Sequence, residues 1–158
     1  LARWRWPRWL RLRRPRTRRS AAVVGLVVLV LLWLGFGGGE RRVWPRDQIL
    51  AAIRFVESGD RQNVPDGDGG KAIGPYQIHR VYWQDAVAFE PGLDGDYQHC
   101  RARDYAERIV DAYMRKWAPG EWARGEAEAI ARIHNGGPRG ASLAATVGYW
   151  QRVRARLP

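Results

Sequence analysis

The sequence predicts an α+β domain, predominantly helical with one small irregular or β-hairpin lobe, preceded by a single transmembrane helix. Three observations carry this. Four stretches between residues 45 and 158 repeat apolar side chains at helical spacing. Between Ser58 and Ile78 that period stops, and Gly, Pro and Asp take over. Ahead of both, nineteen residues from Ala21 to Gly39 pass without a charge.

The N-terminal segment explains the charge of the chain. The 158 residues carry a formal +11, yet residues 1–20 alone hold nine arginines and no acid. That leaves eighteen basic against sixteen acidic side chains in residues 21–158. As a helix, the uncharged run would be about 28 Å long, close to the hydrocarbon thickness of a bilayer. Arginines on one flank, with only Arg41 and Arg42 on the other, predict a cytoplasmic tail (1–20), an anchor (21–39) and an exported domain (40–158). A cleaved signal segment shares the pattern of a basic stretch before an apolar one, and would leave the domain secreted. On either reading the domain is periplasmic or extracellular, and a nucleic-acid-binding arm is not expected. At 46% hydrophobic, the chain has the side chains for a real core. One cysteine, Cys100, excludes an intrachain disulfide framework.

Gly37-Gly38-Gly39 reads as a flexible link. Pro45 and Asp47 then suit a helix start, followed by Ile49, Leu50, Ile53 and Val56 and a stop at Gly59. A shorter helix is expected over Val81–Val87. Tyr105, Ile109, Tyr113 and Trp117 step by four, with Val110 and Met114 beside them. Trp122, Ala123, Ala127, Ile130 and Ile133 predict one further helix, closed by Asn135-Gly136-Gly137-Pro138. Ser142 suits the cap of the last helix, with the stripe Leu143, Val147, Trp150, Val153 and Leu157.

Glu57 falls within about 40° of Leu50 and Ile53 on the first helix, so it points along the apolar face. A carboxyl against apolar neighbours resists ionising, which suits it to donate a proton near neutrality. Beyond it, Asp66-Gly67-Asp68-Gly69-Gly70 offers a second carboxylate on a bending backbone. Two carboxyl groups flanking one bond are what glycoside cleavage requires. The loop is not a calcium-binding EF-hand, because Lys71 and Gln77 replace the glycine and glutamate that motif needs. His79, His99 and Cys100 lack zinc-ligand spacing, so neither metal nor cofactor is expected.

Val56-Glu57-Ser58-Gly59, Gly74-Pro75-Tyr76-Gln77-Ile78, Tyr82-Trp83, Ala131-Arg132-Ile133-His134-Asn135-Gly136-Gly137-Pro138 and Gly148-Tyr149-Trp150 follow one another along residues 49–154. In that order they resemble the invertebrate-type lysozymes, also called destabilases. The resemblance implies a lysozyme-like fold and hydrolysis of the β-1,4 bond between N-acetylmuramic acid and N-acetylglucosamine in peptidoglycan strands, by a protein expected to act as a monomer. It implies Glu57 as general acid and Asp68 as the catalytic aspartate, with Asp66 the competing match. It also sets Tyr76 and Gln77 along the cleft, and His134 and Asn135 are candidates to line it. Trp83, Tyr149 and Trp150 are candidates for sugar stacking or for core. Members of the family are usually dense in disulfides, which this chain is not. Two other functions stay open: a lytic transglycosylase using Glu57 alone, and a silent wall-binding scaffold. A serine-dependent isopeptidase has no support, since only Ser20, Ser58 and Ser142 exist and none sits in a nucleophile elbow.

Overall fold

Apolar side chains at helical spacing pack into one core in the computed structural model, which describes residues 42–158. The expected tail and anchor (1–20 and 21–39) lie outside the described residues. Among the described residues no helix is long and apolar enough to cross a membrane.

Helix α1 (Arg46–Ser58) starts after Pro45, with Asp47 in the first turn favouring the positive end of the helix dipole. It stops at Gly59, whose left-handed backbone returns its amide to the Phe55 carbonyl at 2.8 Å. The irregular lobe follows. It holds a short 3₁₀ turn (Asp68–Gly70) and two antiparallel strands, β1 (Ala72–Ile73) and β2 (Ile78–His79), with Ala72 opposite His79 and Ile73 opposite Ile78. Gly74 opens the connection at φ +73°, where a β-carbon would sit 2.0 Å from the Cys100 carbonyl oxygen. Only glycine lets the hairpin lie that close to the following segment.

Helix α2 (Arg80–Phe89) leads to a 3₁₀ turn (Tyr97–Arg101) closed by a reciprocal cap, in which Asp96 accepts from the Gln98 amide and His99 Nδ1 from the Asp96 amide. His99 is thereby engaged structurally. Helix α3 (Arg103–Trp117) buries Tyr105, Ala106, Ile109, Val110, Ala112, Tyr113 and Met114. Each fully buried aliphatic side chain of this kind contributes about 1.5–3 kcal/mol. Trp117 is not part of that face. It ends the helix partly exposed, while Met114 and Ala118 on either side of it in the last turn are buried.

The helix expected from Trp122 to Ile133 is two helices, α4 (Pro119–Arg124) and α5 (Ala127–Gly136). Gly125 separates them at φ +68°, with the site of a β-carbon 2.2 Å from the Trp44 carbonyl. The chain entering α1 therefore occupies the space a continuous helix would need. Ser142 caps nothing. Its hydroxyl donates to the Arg139 carbonyl inside a 3₁₀ turn (Gly140–Ser142), a second turn (Ala144–Thr146) follows, and α6 (Val147–Arg154) begins four residues later than expected. Leu143 and Val147 are consequently exposed, while Val153, Leu157 and Tyr149 are buried and Trp150 is partly so. Helix α6 packs on α5 and α1, which carries Tyr149 to the end of α1 where Glu57 stands.

Candidate active site

A cleft of about 270 Å³ opens between the irregular lobe and the ends of α1 and α5. Glu57, Asp68, Gln77, His79, His134 and Asn135 line it, with Ala72, Ile78 and Tyr82. Glu57 reaches it from the last turn of α1, its side chain only 18% exposed. Burial raises the Glu57 carboxyl above the ordinary range. A hydrogen bond from the Tyr149 hydroxyl to Oε1 at 2.6 Å and the Arg152 charge oppose the rise without cancelling it.

His134 lies beside this carboxyl, Nε2 to Oε1 at 3.7 Å, but the pair is no salt bridge at neutral pH. Burial lowers the imidazole to about 4, against a smaller opposite effect of the Tyr76 carbonyl. Both ring nitrogens are engaged: Nε2 donates to the Tyr76 carbonyl at 3.2 Å, so Nδ1 accepts from the Tyr82 hydroxyl at 3.3 Å. Tyr82 in turn stacks on Tyr113 with centroids 3.5 Å apart. His134 therefore lines the cleft as a rigid neutral post between α5 and the hairpin. Asn135, next to it, is exposed.

Asp68 stands in the loop opposite, in a left-handed conformation (φ 47°) that costs a non-glycine residue on the order of 1 kcal/mol. The His79 imidazole lies beside it, Nε2 to Oδ2 at 3.7 Å. Asp66 is placed differently. It is absent from the cleft lining, and its two oxygens accept from the Arg101 guanidinium, the second at 2.8 Å. That hydrogen-bonded pairing holds its carboxyl below the ordinary range. Gln77, also left-handed at φ 47°, donates from Nε2 to the Gly74 carbonyl at 2.9 Å, which pins the tip of the hairpin.

Tyr76 corrects an expectation. Its phenol is fully buried and points away from the cleft, donating to Glu107 Oε1 at 2.8 Å and accepting from Arg54 at 3.2 Å. Only its backbone carbonyl serves the site, through His134. Arg54, buried on α1, also pairs with Asp60 and Glu107, so one guanidinium ties α1, the lobe and α3 together. Burial disfavours ionised Glu107, but hydrogen bonds from Arg103 and Tyr76 and the nearby Arg54 charge outweigh it and lower the carboxyl. Trp83 is likewise committed, its indole N–H donating to Tyr105 at 3.0 Å. Cys100 is fully buried, and burial pushes its thiol up to about 12. Among the described residues no group of His, Cys, Asp and Glu could hold a metal ion.

Sequence reasoning missed Tyr149 as the partner of Glu57, and Tyr82 and His79 as cleft residues. The Tyr149 and Val153 pair, one helical turn apart, was the available signal that Tyr149 faces inward.

The Destabilase family model matches residues 47–156. Lysozyme 1 of the oyster Crassostrea virginica is 42% identical over 112 residues, covering 69% of this chain and 58% of that protein. The chain thus spans little more than half of that relative's length. A lysozyme of Meretrix lusoria is 36% identical over 66% of this chain and 84% of its own. Among solved structures, the inhibitor-bound Meretrix lusoria lysozyme superposes with a TM-score of 0.57 at 34% identity, over 68% of this chain and 87% of that one. Tapes japonica lysozyme superposes with a TM-score of 0.58 at 27% identity, over 68% and 86%. With this mostly helical, lysozyme-like fold and a family match across most of the described residues, the chain belongs to the Destabilase family, the invertebrate-type lysozymes.

Proposed function

We propose that residues 40–158 form a muramidase that hydrolyses the β-1,4 bond between N-acetylmuramic acid and N-acetylglucosamine in peptidoglycan. One observation carries the reading: a buried glutamate with a raised carboxyl lines a cleft that also holds an aspartate from the facing loop. Glu57 is the general acid. With Oε1 accepting from Tyr149, Oε2 carries the proton that passes to the leaving glycosidic oxygen as its bond to the anomeric carbon breaks. Asp68 is the second carboxylate, supporting positive charge at the anomeric carbon or the group that attacks it. Its exposure, and its having no arginine pair among the described residues, favour it over Asp66. Gln77 and Asn135 are the polar side chains offered to the sugars. His134 and Tyr149 hold Glu57 in place.

Mass spectrometry of products from purified peptidoglycan tests this. Hydrolysis leaves a reducing muramic end. A 1,6-anhydro end would mean transglycosylation by Glu57 alone, and no release of fragments would mean a wall-binding scaffold.

Residues 21–39 are proposed as a retained anchor, with the domain held outside the cytoplasmic membrane as a monomer acting on nearby strands. The nine arginines ahead of the uncharged run support it. Full-length protein should then stay with membranes through an alkaline carbonate wash. A soluble exported fragment starting near Glu40 would show a cleaved signal instead.

A further inference from the structure

A second depression, about 430 Å³, adjoins the catalytic cleft and shares His79 with it. Lys71, Arg80, Tyr97, Gln98 and Arg101 line it, with Asp66. Asp66 is already satisfied by Arg101, so these two cancel. Lys71 and Arg80 have no carboxylate partner among the described residues, and they leave the basin with two uncompensated positive charges. Their placement is built, not incidental. The buried Tyr97 directs its hydroxyl at the Lys71 and Ile78 carbonyls, at 2.8 and 2.7 Å, fixing both strands of the hairpin. Its ring face carries the Arg80 guanidinium at 4.6 Å, which orients the planar group and leaves its N–H edge open. One side chain thus orients the Arg80 guanidinium and fixes the backbone from which the exposed Lys71 side chain extends. Arg80 also opens α2, whose N-cap residue His79 makes no capping bond, so the local helix dipole has the same sign.

We propose that this basin binds a free carboxylate on the peptide stem of the glycan strand being cut. The inference rests on the muramidase reading for the identity of the strand. Muramic acid carries its peptide as a branch off the sugar ring, and the stem bears carboxylates that are not part of the glycan. A branch leaving a sugar held beside Asp68 and His79 meets the basin at the wall the two depressions share. An oriented Arg edge with a Lys point charge beside it suits a planar carboxylate. The basin selects for peptide-bearing strands over bare sugar polymer.

The test compares soluble, uncross-linked peptidoglycan strands, stripped of phosphodiester polymers, with the same strands whose carboxylates are capped as methylamides. The full chain should show a KM about tenfold lower on uncapped strands, a difference that shrinks as salt is raised. The double variant Lys71→Gln/Arg80→Gln should lose that preference while keeping kcat on capped strands within about twofold of wild type. Equal KM for the two substrates in the wild type, or a preference that survives in the double variant, overturns the proposal. A preference seen only on wall still carrying phosphodiesters also overturns it, because the anion is then a phosphate. Equilibrium binding of both strands to Glu57→Gln protein reads the basin without turnover. Anion-dependent binding alongside absent cleavage by the wild type would refute the muramidase reading and leave the basin standing.

Discussion

Glu57→Gln isolates the acid from the fold around it. The side chain is mostly enclosed, and its one strong polar contact is the Tyr149 hydroxyl on Oε1 at 2.6 Å. A glutamine amide oxygen accepts the same bond in nearly the same volume, so neither a cavity nor an orphaned phenol results. What is lost is the proton on the other oxygen. General acid catalysis contributes about 10²–10⁴-fold, or about 3–5 kcal/mol of barrier, and turnover on peptidoglycan should fall by at least that order. Stability should move the other way. Burial raises the Glu57 carboxyl above its unfolded value, so the folded protein holds that proton to higher pH than the unfolded chain does. No penalty exists below the unfolded value, about 4.5, and it grows as pH rises through the raised folded value. Glutamine never ionises. The variant should therefore melt at or above the wild-type temperature at neutral and alkaline pH, with the difference vanishing in acid. Turnover is measured on residues 40–158 by release of reducing ends, with circular dichroism as the fold control. A variant that keeps more than about a tenth of wild-type turnover with unchanged helicity refutes the mechanism.

Removing the hydroxyl with Tyr149→Phe takes away a bond that favours ionised Glu57, so the alkaline limb of the kcat/KM profile should move to higher pH; a shift to lower pH would mean the site had merely loosened and taken up water. Asp68→Asn should cost far more turnover than Asp66→Asn, because Asp68 lines the cleft while Asp66 is tied to Arg101; the reverse order in a steady-state assay would move the second carboxylate. Arg54→Met leaves buried Tyr76 and half-buried Glu107 short of a partner and should lower stability to urea by about 3 kcal/mol. Glu107 and Asp60 are held below the ordinary carboxyl range, in part by the Arg54 bond and charge. Stability that Arg54 supplies should therefore be fully present above the unfolded values of 3.8 and 4.5 and fade as pH falls below them through the lowered folded ones, bringing variant and wild type closer together in acid.

How much of this was legible in the sequence depends on the range of the interaction. The enclosure of Glu57 could be anticipated because its apolar neighbours are one and two turns away on the same helix, and burial alone raises its carboxyl. The partner that tempers that rise, Tyr149, is 92 residues distant and needed the packing of α6 on α1. The break at Gly125 was invisible for a similar reason. A glycine inside an apolar period is tolerated in a helix, and only the approach of Trp44 makes the left-handed turn necessary. Tyr76 was misread at the level of one side chain. Its motif does lie along the cleft, but the backbone presents the carbonyl to His134 and sends the phenol to Arg54 and Glu107. Arg54 itself reads as a surface residue in any periodicity argument, since its burial is satisfied wholly by groups from other elements.

Those distant polar contacts also account for a domain of this family standing on one cysteine. The segment from Gly59 to His79 has two strands of two residues each, too little backbone pairing to fix an active-site loop. It is held instead from four sides. Arg54 takes Asp60 and the Tyr76 hydroxyl, Arg101 takes Asp66, Tyr97 takes the Lys71 and Ile78 carbonyls, and His134 takes the Tyr76 carbonyl. The enclosed bonds among them, to the Tyr76 hydroxyl and to the Lys71, Ile78 and Tyr76 carbonyls, contribute about 0.5–1.5 kcal/mol each. Together they match what one or two disulfides supply, at about 2–4 kcal/mol each. The substitution is not neutral for function. A disulfide fixes backbone and leaves side-chain chemistry alone, whereas these posts put a neutral imidazole in the cleft and a cationic basin beside it. Among these four groups His134 is the one that serves both ends: it bonds the Tyr76 carbonyl of the lobe and stands 3.7 Å from the Glu57 carboxyl, so the lobe that carries Asp68 and the enclosure of Glu57 meet at one buried imidazole.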